Sequence, residues 1–260
     1  MKLFKWIPCI LLFSCIDVIT QTTFYNSLYF KGGSWIETAI MDSMKTSENA
    51  NDFTLQFWVS GSDLAATDGP ALFSLIDLQD SIKLALYRDS NNPSTITAEV
   101  NSVREDITLT ELNWSDADEF YLISLLFSDN LGLKGYVDST IFLNKTSVNV
   151  RVGDAQLMFG AKANKERTIL ENFWYGYIDE IRLWNTRLAD STIKFQALHP
   201  DKLGDYYRHT YHDSLIGLWR FNLSEATTTI RDESESEHIH DGIIYTLPNY
   251  SIELSEKGAQ

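Results

Sequence analysis

Gly176-Tyr-Ile-Asp-Glu-Ile-Arg-Leu-Trp-Asn185, followed by Thr186-Arg-Leu-Ala-Asp190, is the stretch whose reading decides the fold. Its apolar residues slip out of strict alternation: Ile178 and Ile181 are three apart, Ile181 and Leu183 two apart. Successive side chains of a strand point to opposite faces, so all three reach one core only if the strand carries a bulge or bend near Asp179-Glu180. On a regular strand those neighbouring acids alternate faces; a bulge turns both outward. The next residues, Leu188–Leu198, have another character. Asp190 or Ser191 can cap a helix of about two to three turns, with Ile193 and Ala197 on one face, ending before Pro200.

On either side, strand-like runs recur between turn signals. Phe53, Leu55, Phe57 and Val59 share one face, and Thr54, Gln56, Trp58 and Ser60 the other. Ala71–Ile76 and Ile82–Tyr87 read as a hairpin across Asp77-Leu-Gln-Asp80, and Thr95–Val100 is β-branched enough for another strand. Phe120–Phe127 is apolar on both faces except at Ser124, as a central strand should be, and Ser128–Gly132 turns the chain into Leu133–Val137.

These segments, in order, resemble the laminin-G-like/pentraxin branch of the concanavalin-A-like jelly rolls. Phe53–Val59 is similar to its "F-T-[IL]-x-[FA]-W-[VI]" strand, Leu133-Lys-Gly-Tyr-Val-Asp138 to its "L-Y-V-D-G" hairpin, and Gly176–Asn185 to its signature strand. Gly217-Leu-Trp-Arg-Phe-Asn222, Thr227–Ile230 and His240–Tyr245 resemble strands that often open such domains, yet here they close the chain. The resemblance implies an all-β, two-sheet antiparallel jelly-roll sandwich with one short helix after the signature strand. Sandwich termini commonly lie close together, so strand order can be permuted and residues 24–247 read as one domain, with a truncated second repeat as the competing division. Ser251–Gln260 is expected to be a flexible tail.

Composition narrows the setting. A chain of 260 residues buries roughly three quarters of its unfolded surface and can stand without cross-links. Both cysteines, Cys9 and Cys15, fall in an N-terminal leader with Lys2, Lys5 and an apolar run from Trp6 to Phe13, too short to span a bilayer. Cleavage near Thr20-Gln21 would give a signal peptide of residues 1–20; Leu12-Phe-Ser-Cys15 instead resembles a lipoprotein box, with a signal of residues 1–14 and lipid on Cys15. A disulfide-free exported body reads as bacterial, and as secreted or held at the cell surface. The net charge of −15 leaves no basic stripe for phosphates, so nucleic acid is excluded, and contact with membrane is confined to a lipid anchor.

Candidate sites are few. In some members of the resembling family, Asp and Asn oxygens on edge loops hold calcium. Here Asp232, Ser234 and Asp241 are the ligand candidates, although Glu-Ser-Glu replaces the family's Gly-Asn-Gly and calcium needs roughly six to eight oxygens. A solvated acidic loop is the plainer reading. His209-x-x-His212 and His238-x-His240 have ligand-like spacing but read as incidental. Trp35, Trp114, Trp174, Tyr206 and Tyr207 are candidates for a glycan-stacking platform, against the commoner use of tryptophan as packing. Trp58, Trp184 and Trp219 would need a second packed layer to cover them. The hydrolases of this fold carry "E-x-D-x-x-E", which is absent, and no Ser-nucleophile motif or glycine-rich phosphate cradle is present. The expectation is therefore a non-catalytic recognition module, not an enzyme, binding glycans or extracellular proteins. A glycoside hydrolase of the same fold and a structural adhesion component are the alternatives, and two carboxyls converging in a cleft would favour the first.

Overall fold

A computed structural model describes residues 27–38, 52–62, 69–76, 81–150, 156–163, 170–203, 212–223, 227–235 and 240–259. In chain order the strands are β1 (Ser27–Lys31), β2 (Ser34–Glu37), β3 (Phe53–Ser60), β4 (Ala71–Ile76), β5 (Ile82–Arg88) and β6 (Thr95–Val100). Then come β7 (Val103–Thr108), β8 (Tyr121–Ser128), β9 (Gly132–Val137), β10 (Thr140–Lys145), β11 (Gln156–Phe159), β12 (Lys162–Ala163), β13 (Leu170–Glu171) and β14 (Tyr175–Trp184). A helix α1 (Asp190–Leu198) follows, then β15 (Leu215–Trp219), β16 (Thr229–Ile230), β17 (Gly242–Thr246) and β18 (Ile252–Ser255).

Two antiparallel sheets form the sandwich. One runs β10-β9-β8-β3-β14-β1-β18, with β15 also paired to β14; the other runs β16-β17-β2-β11-β4-β5-β6-β7. The inner face of β3 is the set its alternation foretells: Phe53, Leu55, Phe57 and Val59 enter the main core. Phe57 meets Phe73 and Phe159 of the facing sheet edge-on, at centroid distances of 5.7 and 5.3 Å. Ser124, the polar exception in β8, accepts a 2.9 Å hydrogen bond from the Gln56 side-chain amide directly across the ladder, which pairs the buried hydroxyl with a buried donor.

The bulge in β14 is where the slipped spacing puts it. Asp179 pairs with Trp58 and Ile181 with Phe57, so Glu180 has no partner on β3. Its φ of +23° is unusual for a residue with a side chain, which a bulge tolerates. Ile178, Ile181 and Leu183 all reach the core as a result.

Helix α1 lies against the outer face of the β3 sheet. Ile193 joins Trp184, Leu188, Leu215 and Leu218 in a second apolar layer, and Ala197 packs beside Trp58. This layer is what covers Trp58 and Trp184. Neither expected cap residue caps the helix: Ala189 occupies that position without a side-chain bond, and Asp190 instead accepts from Lys134 at 2.5 Å. The ion pair to β9 takes the carboxylate that the first turn would otherwise use.

The C-terminal third completes the same sandwich: β15 pairs with β14, β17 with β2 and β18 with β1. The expectation of a flexible tail over 251–260 is corrected by β18, which covers the open edge of β1, and by Ala259, which is buried. Ile252 and Leu254 supply the apolar contacts that hold it.

Candidate functional site

The tryptophans expected to form a glycan platform belong to the core. Trp114 and Trp174 are fully buried and meet edge-on at 5.7 Å, and Trp35 is 4% exposed and stacked on Tyr245. No sugar face can reach them. Tyr206, Tyr207 and Cys15 lie outside the described residues.

Of the expected calcium ligands, the Asp232 and Asp241 carboxylates are taken up by backbone N–H groups, while Ser234 Oγ has no partner among the described residues. Asp232 is buried, and its carboxylate accepts backbone N–H groups of Leu218 (2.9 Å), Ser234 (2.9 Å) and His240 (3.1 Å). Its own N–H donates to the Asp241 carboxylate at 2.9 Å. Three N–H dipoles aimed at one carboxylate place positive charge where a cation would have to sit, so this donor set does not fit calcium. Its role is to tie the segment between β16 and β17 to strand β15.

The bulge assembles a different site. With the extra residue inserted, Asp179 and Glu180 both leave the core and line one cleft of about 320 Å³ with Trp58, His199, Asp201, Arg220 and Ala259. That is the size of a small-ligand pocket. Each Glu180 oxygen takes one guanidinium, Oε1 from Arg182 and Oε2 from Arg220 at 3.0 Å. Arg182 is itself buried and donates to the carbonyls of Pro200 (2.6 Å) and Lys202 (3.2 Å), fixing the loop after α1 as one wall. Arg220 reaches on to Glu233 at 3.3 Å.

Asp179 has a different environment. Its Oδ1 accepts the Glu180 N–H at 2.7 Å and its Oδ2 the Ala259 N–H at 3.2 Å. Burial nevertheless pushes its carboxyl up to about 6; the charge of Glu180 adds to the rise, while the two N–H groups and Arg182 oppose it. The cleft thus holds a carboxyl able to carry a proton near pH 6 beside a carboxylate neutralised by two arginines.

Asp138, in the turn between β9 and β10, is likewise pushed up to about 6, chiefly by burial and further by Glu119, with the Leu122 N–H pulling the other way. Both raised carboxyls bind a proton in the folded chain that the unfolded chain releases. Their contribution to stability is therefore present below the ordinary carboxylate range and lost as pH rises from about 4 to about 6. The expected result is that Asp138→Asn with Asp179→Asn flattens this dependence by up to about 2 kcal/mol per site, measured by urea unfolding at pH 4.5 and pH 7. An unchanged slope would show that neither carboxyl is desolvated.

The family model described as the Concanavalin A-like lectin/glucanases superfamily matches residues 30–194, more than half of the chain. A comparison with curated protein sequences finds no match. Among solved structures, the chain resembles a Bacteroides ovatus protein proposed to bind carbohydrate, at 12% identity and TM-score 0.57, over 88% of this chain and 59% of that one. A native heptameric SAP-like pentraxin from Limulus polyphemus matches at 12% identity and TM-score 0.50, over 66% of this chain and 82% of that one. A Trypanosoma rangeli sialidase in complex with sialic acid matches at 18% identity and TM-score 0.50, over 68% of this chain but 28% of the enzyme. At these identities the likeness carries the fold. That fold includes part of an enzyme, and two carboxyls meet in one cleft, so the expectation of a non-catalytic chain that is not an enzyme is withdrawn. The sandwich, its signature strand and the matched residues together make this chain a laminin-G-like member of the Concanavalin A-like lectin/glucanases superfamily.

Proposed function

We propose that this chain acts on glycans and that the cleft at the β14 bulge is an acid–carboxylate site for cleaving glycosidic bonds. The observation that carries the reading is the outward turn of both Asp179 and Glu180 into a single cleft. Glycoside hydrolysis needs one carboxyl that delivers a proton to the leaving oxygen and one carboxylate that attacks or activates water. Asp179, raised by burial, suits the first role; Glu180, held between Arg182 and Arg220, suits the second. The superfamily description and the Bacteroides and Trypanosoma structures support a glycan as the partner class. The leader with Lys2, Lys5 and the apolar run to Phe13 supports a place of action outside the cytoplasm.

The test is release of reducing sugar from a panel of neutral and acidic oligosaccharides between pH 4 and pH 8. Activity is expected to be greatest near pH 5–6. Asp179→Asn keeps an acceptor for the Ala259 N–H and Glu180→Gln keeps one for Arg220; each is expected to lower turnover roughly a hundredfold, the scale of a lost acid or base. Wild-type turnover on no member of the panel, or full turnover by both variants, overturns the reading.

A further inference from the structure

The outer face of the sheet beside the cleft carries a row of rings that the carboxyl pair does not use. Trp58 lines the cleft, is 5% exposed, and its indole N–H has no acceptor among the described residues. A donor buried in that way is normally paired, so an unmet one on a residue that lines a cleft marks a place for a ligand's oxygen once the cover lifts. Tyr177 points to the same face: it pairs with Ser60, two residues along β3 from Trp58, and is therefore a diagonal neighbour of the indole. Tyr177 in turn stacks on Tyr29 at 4.6 Å between centroids and 24° between planes. Both tyrosines are half-buried.

The segment after β18 crosses this row. The Lys257 carbonyl accepts from Ser27 through both its backbone N–H (3.1 Å) and its hydroxyl (2.6 Å). The Lys257 ammonium lies 5.4 Å above the Tyr177 ring and pairs with Asp118, whose side chain is 82% exposed. Ala259 packs on Trp58 and donates its N–H to Asp179. Among the described residues, and beyond the Ser27 clamp, the segment is held by a solvent-exposed ion pair, the ammonium contact with the Tyr177 ring, a local bond from the Lys257 N–H to Ser255 Oγ at 3.0 Å, one methyl contact and a hydrogen bond to a carboxyl that loses its charge near pH 6.

We propose that Tyr29 and Tyr177 are sugar-stacking positions of one groove leading into the bulge cleft, that the Trp58 N–H is a hydrogen-bond donor of that groove, and that Lys257–Ala259 is a detachable cover over it. The ligand class follows from what the groove presents. Ring faces match the C–H face of a pyranose, and hydroxyls can both accept from the Trp58 N–H and Arg220 and donate to Asp179 and Glu180. A wholly apolar ligand would leave those polar groups unpaired. A polyanion would meet Asp118, Asp179, Glu180 and Asp201. A neutral oligosaccharide satisfies both constraints. The inference rests on the glycan-directed reading of the cleft.

The test uses the full chain carrying Glu180→Gln, so that binding is read without turnover, and cellohexaose, laminarihexaose, xylohexaose and mannohexaose as calorimetric probes. At least one is expected to bind. Against that background, Ala259→Asp, which sets a like charge beside Asp179, and a chain ending at Glu256 are each expected to bind at least fivefold tighter. Tyr177→Ala is expected to bind at least tenfold weaker, and Trp58→Phe, which keeps a ring but loses the donor, about fivefold weaker. Hydrogen exchange gives a ligand-free readout: the Ala259 amide should exchange at least a hundredfold faster than the paired amides of β1. Equal protection at Ala259, cover variants that melt like the parent yet bind no tighter, or undiminished binding by Tyr177→Ala each overturn the groove or its cover. Binding that behaves as described while the unsubstituted chain cleaves nothing would sink the hydrolytic reading and leave this one standing.

Discussion

Trp114→Ala is expected to lower the free energy of unfolding by about 3–5 kcal/mol, the range for removing a large aromatic side chain from a packed core. The indole is fully buried, meets Tyr121 edge-on at 5.8 Å and Trp174 at 5.7 Å, and donates to the Thr95 carbonyl at 3.1 Å. Truncation removes two aromatic contacts and one of the two hydrogen bonds that carbonyl accepts, the other coming from the Asp89 N–H at 3.2 Å. The backbone around it cannot close the gap: the Trp114 N–H is held by Pro93, and its carbonyl lies 1.9 Å from where a Cβ on Gly61 would stand. Urea unfolding should show a lower midpoint with an unchanged slope. Trp114→Phe should retain most of the stability. A loss below about 1 kcal/mol would fit a surface ring and would revive the platform reading that burial rules out.

A second large effect is expected at Asp232. Removing its carboxylate in Asp232→Ala strands the N–H groups of Leu218 and Ser234 in a buried site and that of His240 in a half-buried one. Each stranded donor costs about 1–3 kcal/mol, and partial relaxation brings the expected total to about 3–5 kcal/mol. Asp232→Asn keeps one oxygen for two of the three donors and should cost less than half as much. The midpoint should not move on adding calcium or a chelator, because the group acts as an anion acceptor for backbone. A rise of several degrees with calcium would show that the loop rearranges around an ion after all.

Much of the architecture was legible because it is local. Period-two patterning in Phe53–Val59 and the apolar run of Tyr121–Phe127, broken only at Ser124, give strands that need little tertiary help to be seen. The spacing of Ile178, Ile181 and Leu183 even located the bulge, and with it the one condition under which Asp179 and Glu180 could share a face. What the sequence hid depends on distant partners. Val103-Arg-Glu-Asp-Ile-Thr108 looks too charged for a strand, yet it pairs along its length with β6 as an exposed edge, where charge is tolerated. Ile252–Ser255 reads as frayed until β1 is placed beside it. The depth of Trp114 and Trp174 is a property of how the two sheets close, and no pattern around either residue encodes it. The pairing of Glu180 with Arg220 joins residues forty apart, one on β14 and one just past β15, and was likewise out of reach.

The pairing of Ser27 with Ser255 and of Ile36 with Ile244 also sets the order of events during synthesis. Two of the earliest strands wait for neighbours made more than two hundred residues later, and contacts of such long range slow the search for the native state. Until translation has passed Ser255, β1 stands with one margin bare. A nascent chain in that condition can recruit another copy through the same backbone groups, so expression at low temperature and low density should favour the monomer over tangled assemblies.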